Sequence, residues 1–121
     1  MKKTVTIFCV VIFAACAATS KFAPTAEELP AMEAKMPGLT YDEAMQGYKL
    51  YAGNCSKCHR LHNPKEYTAV QWNKILPEMF GKAKLSDKGQ EALIQNYLIS
   101  KSKSDSTVFT NDFLLKIDLS K

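Results

Sequence analysis

The sequence predicts an all-α fold of three to four helices, and three helix starts carry that prediction. Thr40-Tyr41-Asp42-Glu43 and Thr68-Ala69-Val70-Gln71 each read as a capping box. In such a box the threonine hydroxyl and a side chain three residues on satisfy backbone donors at a helix start. Ser86-Asp87 is the third start, with a capping oxygen and an acid where the helix dipole favours negative charge. Apolar residues at helical spacing follow each start, and no alternating strand pattern or repeat is evident up to residue 101.

The first helix is expected to run to about Ala52 and stop at Gly53-Asn54. Its apolar face is Ala44, Tyr48 or Gly47, and Tyr51. Glycine costs up to about 1 kcal/mol relative to alanine inside a helix, so Gly47 suggests a second helix crossing closely there. The second helix carries Trp72, Ile75, Leu76 and Met79 on one face, and Gly81 ends the segment. Pro77 removes a donor and clashes with the preceding turn, so the helix either kinks there or gives way to a second turn. Leu93, Ile94, Tyr97 and Leu98 form the buried stripe of the last helix, with Lys101 and Lys103 suiting its C-terminal end.

The remainder divides around this core. Lys2 and Lys3 precede an apolar run from Thr4 to Ala15, too short to span a bilayer comfortably, and residues 1–15 read as a bacterial signal peptide. Cys16 follows Phe13-Ala14-Ala15, small residues just before a cysteine, as in the lipobox of bacterial lipoproteins, although Phe13 stands where such boxes usually carry leucine. The alternative is ordinary cleavage just beyond, leaving a stray thiol. Because an odd thiol is a liability in an oxidising compartment, lipidation of Cys16 is the favoured reading. Residues 16–38, holding Pro24, Pro30 and Pro37, are expected to form an extended tether, either free or partly wrapped on the domain. The domain itself is placed at 39–101. Residues 102–121 form a tail of unassigned role, a polar linker followed by the apolar Val108-Phe109 and Phe113 to Leu119.

The chemistry concentrates in Cys55-Ser56-Lys57-Cys58-His59. Two cysteines two residues apart, with a histidine next, form the attachment signature of c-type haem. Two thiols can add across neighbouring vinyl groups of the porphyrin, and His59 then supplies a proximal nitrogen to the iron. A zinc site would need a second ligand pair, and His62 alone does not complete a tetrahedron. A redox disulfide needs no histidine, and no βαβ pattern surrounds this pair. The motif and the export signal together point to one covalent haem c.

Charge narrows the partners. The net charge of +4 falls to +2 without Lys2 and Lys3, since 14 basic residues then face 12 acidic ones. The segment from Lys21 to Gln46 is acidic, and the segment from Lys57 to Lys88 is basic. Nucleic acid is excluded as a partner by so small a surplus on an exported chain. Lys57, Arg60, Lys65, Lys74, Lys82 and Lys84 suit steering of a redox partner with an acidic docking face.

Taken together, these residues resemble a class I monohaem c-type cytochrome of a compact bacterial subgroup. Gly47, Tyr51 and Cys55 at four-residue steps resemble the family's first helix running into its haem motif. Ile94 and Tyr97 match positions that pack across that glycine, and Met79-Phe80-Gly81 before Leu85-Ser86-Asp87 resembles the sixth-ligand methionine and its loop. The resemblance covers about residues 40 to 101. It implies a small cytochrome c fold around one haem, His59 and Met79 as iron ligands, and one-electron transfer without enzymatic turnover. Pro64 departs from longer members by following His59 so soon; its carbonyl either receives the histidine's second N–H or the proline is a plain turn residue. Tyr67 and Trp72 either line the haem crevice or serve as core. The expected setting is the periplasmic side of the cell envelope, tethered to a membrane through Cys16. Two other readings remain open: an electron-relay subunit held in a larger oxidoreductase complex, and a five-coordinate haem protein that binds a small gaseous ligand.

Overall fold

Helix α2 (Tyr41–Cys55) crosses helix α4 (Lys88–Ser100) at Gly47, and the rest of the fold is arranged around that crossing. The computed structural model describes residues 20–104. The expected signal peptide at residues 1–15, the lipidation candidate Cys16 and the tail from residue 105 onward lie outside the described residues. Two further helices, α1 (Leu29–Lys35) and α3 (Ala69–Lys82), and the 3₁₀ turns Ser20–Phe22 and Pro64–Glu66 complete the order. Among the described residues there is no strand, only an isolated bridge between Thr68 and Lys103, and no helix long and apolar enough to cross a membrane. The architecture is all-α, as the helix starts require.

The two predicted capping boxes form, and at the third start the cap is Asp87 rather than Ser86. Thr40 accepts from the Glu43 amide while Glu43 reaches back to the Thr40 amide, and Thr68 and Gln71 repeat the exchange. The Asp87 carboxylate accepts from the amides of Gly89 and Gln90. Each such cap stabilises its helix by about 1 kcal/mol. Tyr48 and Tyr51 of α2 lie against Tyr97 of α4, with ring centroids 5.8 and 6.0 Å apart. Tyr97 is fully buried, and its hydroxyl donates to the Phe22 carbonyl at 2.6 Å.

Three boundaries differ from the sequence expectation. Helix α2 does not stop at Gly53-Asn54 but runs through both to Cys55. Gly53 keeps a negative φ, and the Asn54 side-chain Nδ2 donates back to the Leu50 carbonyl, so neither residue breaks the turn. Helix α3 passes through Pro77 and Gly81 to Lys82 without dividing into two elements. The segment before Leu39 is not an extended tether over its described length: it folds into α1 and buries Met32 in the core.

That leading segment is strapped to the end of α4. The Lys101 ammonium, only 8% exposed, pairs with Glu28 at 2.9 Å and also donates to the carbonyls of Phe22 and Ala23. Burial pushes the Glu28 carboxyl up, but hydrogen bonds from Lys101 and the Thr25 amide, aided by the Lys101 and Lys65 charges, outweigh it and leave the group below its ordinary value. Lys35 donates to the Ser102 carbonyl, and the Lys103 amide donates to Tyr67 at 2.9 Å. The packed domain therefore reaches past residue 101, because Ser102 is buried and Lys103 is paired.

Candidate haem site

Because α2 extends to Cys55, its last turn delivers the first motif cysteine to the mouth of a cavity of about 340 Å³. The volume falls within the ordinary range of about 300–1,000 Å³ for ligand pockets. Cys55, His59, Tyr67, Trp72 and Met79, named from the sequence as candidates in separate stretches, all line it. Ile75 and Leu76 add an apolar wall from α3. Cys58 is exposed and does not line the cavity. Pro64 is buried outside the lining, and its carbonyl accepts the Trp72 indole N–H at 2.9 Å.

His59 finds a different partner from the one considered in the sequence. Its Nδ1 lies 2.8 Å from the carbonyl of Arg60. A proton on Nδ1 makes that contact a hydrogen bond and leaves the Nε2 lone pair available to a metal. The loop between the motif and α3 is held from both flanks. The Tyr51 hydroxyl donates to the His62 carbonyl at 2.9 Å, and Trp72 holds Pro64 two residues on. Tyr67 packs edge-on against Trp72 with ring centroids 5.0 Å apart.

Sequence reasoning missed four lining residues: Ile75 and Leu76, placed only on the apolar face of their helix, and Tyr51 and His62. Tyr51 was read only as part of a buried helix stripe; its place one turn before Cys55 was the available signal, since i and i+4 share a face. Its phenol is pushed far above the ordinary range, chiefly by burial and then by Cys55, so it is a neutral donor at physiological pH. His62 was weighed only as an iron ligand. It lines the cavity beside His59, with ring centroids 5.3 Å apart and Nδ1 3.1 Å from the Glu66 carboxylate. Nothing in the sequence distinguished that lining role from a loop position.

The donor set bears on the competing chemistries. Burial, then the neighbouring Cys58, pushes the Cys55 thiol up, the opposite of the lowered value that activates a dithiol redox pair. Among the described residues, no three His, Cys, Asp or Glu side chains form a group able to hold a metal ion. What the cavity offers instead is apolar and aromatic wall, one thiol, two imidazoles and a thioether, a set that fits a porphyrin attached through cysteine.

An all-α domain presenting Cys-x-x-Cys-His at the mouth of such a cavity defines a c-type cytochrome, a protein of covalently bound haem and electron transfer. The family model described as dihaem cytochrome c matches residues 51–119, more than half of the chain, and the protein belongs to that family. No curated protein and no solved structure gives a match. The family's description specifies two haems, whereas this sequence holds a single Cys-x-x-Cys-His, at residues 55–59.

Proposed function

We propose that the protein is a one-electron carrier of the bacterial cell envelope, holding a single haem c between His59 and Met79. The observation that carries this reading is the convergence of Cys55, His59 and Met79, from α2, the following loop and α3, on one apolar cavity. When bound, the haem supplies a reversible Fe(II)/Fe(III) couple. Cys55 and Cys58 would attach it, and His59 and Met79 would ligate the iron. Retaining both ligands in the two oxidation states keeps atomic rearrangement small, and thioether ligation raises the potential relative to two nitrogens.

The chain's own contacts support rigid positioning. Arg60 orients the His59 ring, while Tyr51 and Trp72 hold the carbonyls of the same loop. Trp72, Tyr67, Ile75 and Leu76 line the cavity and would shield a bound haem from water, which favours the less charged reduced state. Lys57 within the motif and Arg60 directly after it are exposed and would steer an acidic partner by long-range attraction.

Export to the periplasmic side and lipidation of Cys16 complete the proposal. The docked segment alters what such an anchor would do. Ser20–Phe22 is already a turn whose Phe22 carbonyl accepts from Tyr97, and the four steps of chain from Cys16 to Ser20 can span at most about 14 Å. The domain would stay close to the membrane surface.

The oxidised absorption spectrum tests the iron site. The methionine–iron charge-transfer band should be present in the holoprotein and lost in Met79→Ala. A spectrum without that band in the parent, or unchanged by the substitution, removes Met79 as a ligand. Carbon monoxide binding by the unsubstituted reduced protein would favour a gas-binding role instead.

A further inference from the structure

His62 stands in the haem cavity with no part in the electron-transfer reading. It lines the wall beside His59, and the two imidazole rings lie 5.3 Å apart between centroids, tilted by 55°. Aromatic rings pack against one another at separations of about 4.5–7 Å, so the two rings are in contact.

Three contacts hold His62 in that place. Its carbonyl accepts from the Tyr51 hydroxyl at 2.9 Å. Its Nδ1 lies 3.1 Å from the Glu66 carboxylate, and the Tyr67 ring meets its ring edge-on with centroids 5.6 Å apart. An ionised carboxylate only accepts, so Nδ1 carries the proton of that bond, and the ring cannot turn over without losing it. Glu66 is brought back over His62 by the Pro64–Glu66 turn, which Asn63 caps by accepting from the Lys65 amide.

Stability does not account for this arrangement. The His62 and Glu66 side chains are 43% and 48% exposed, and a pair so open to water contributes little to folding. What the pair fixes is a ring against His59. The contact of His59 Nδ1 with the Arg60 carbonyl anchors a single ring atom. A hydrogen bond weakens steeply only below about 120°, so that anchor alone lets the imidazole plane swing. A second ring packed against it removes the freedom. The groups around a ligating histidine set its orientation at the metal, and in a low-spin ferric haem that orientation governs how the unpaired electron is shared between the porphyrin axes.

We infer that His62, oriented by Glu66 and Tyr67, is a positioning residue that sets the plane of the His59 imidazole at the haem iron. The inference rests on the haem site proposed above, and His62 acts on the iron only through His59.

The test uses the oxidised full-length holoprotein and its His62→Ala, Glu66→Ala and Glu66→Gln variants. The hyperfine-shifted proton resonances of the haem methyl groups report the orientation of the ligand plane. His62→Ala should redistribute these shifts, and Glu66→Ala should move them in the same direction. Glu66→Gln keeps an acceptor for Nδ1 and should retain the parent pattern. Covalent haem and the methionine–iron band should persist in all three, with melting temperatures near that of the parent. An unchanged methyl pattern in His62→Ala overturns the inference. So does loss of the low-spin spectrum in that variant, which would make His62 a ligand itself, or an effect of Glu66→Gln as large as that of Glu66→Ala. The haem site is judged separately on the parent. A parent without covalent haem or the methionine–iron band overturns that reading, whereas a parent with both and an unmoved pattern in His62→Ala overturns the positioning role alone.

Discussion

The indole N–H of Trp72 donates to the carbonyl of Pro64 at 2.9 Å, tying α3 to the loop that follows the haem motif. Both residues are buried, so this carbonyl has no ready substitute partner in water. Trp72→Phe keeps an aromatic ring against Tyr51 and Tyr67 but removes the donor. An unpaired buried carbonyl costs about 1–3 kcal/mol, and the holoprotein should lose stability on that scale in guanidinium unfolding. Unchanged stability would mean that the loop does not depend on this bond.

Gly47 should tolerate no side chain. A Cβ there would lie 2.7 Å from the Tyr97 Cβ and closer still to the Leu93 carbonyl oxygen, which is backbone and cannot swing away. Gly47→Ala, favourable by helix propensity alone, should therefore destabilise the protein, by about 1–3 kcal/mol if the helices are forced apart. Gly53→Ala is the control, because nothing lies within 4 Å of its Cβ position. That substitution should be neutral or stabilising. Equal melting temperatures for the two variants would contradict the close crossing.

Glu28 makes stability depend on acid. Its carboxyl is held below the ordinary 4.5, so its contribution is complete above that value and disappears as pH falls through the lowered folded value. Glu28→Gln should melt lower than the parent near neutral pH, because the buried Lys101 loses its carboxylate. The difference should shrink as both are acidified below about pH 4. A gap that stays constant down to pH 3 would remove the ion pair as its cause.

The haem is expected to complete the core. A packed domain this small buries limited apolar surface, and the cavity lined by Trp72, Leu76 and Ile75 would stand open without its occupant. Cys55→Ala/Cys58→Ala protein, made without haem, should show a broad, weakly cooperative melt. A sharp native-like transition in circular dichroism would show that the polypeptide folds independently of the porphyrin.

How much of this was legible in the sequence depended on the range of the interaction. The capping boxes at Thr40 and Thr68 and the glycine crossing at Gly47 are local or periodic signals, and the structure carries all three. The haem motif is local too, and most residues suspected around it meet at one cavity. The strap was not legible, because Glu28–Lys101 and Tyr97–Phe22 join residues more than 70 positions apart, and proline-bearing sequence resembles a free linker until its partner is known. Gly53-Asn54 misled for a related reason. These residues permit a helix end without enforcing one, and the turn leading into Cys55 continues through them.

The most direct test of the central claim is the haem-to-polypeptide ratio of the purified protein, read from its pyridine haemochrome spectrum and protein content. One covalent haem per chain is predicted, abolished when Cys55 and Cys58 are both replaced. A ratio of zero, or of two as the family's description would allow, contradicts the single His59-ligated site proposed for this chain.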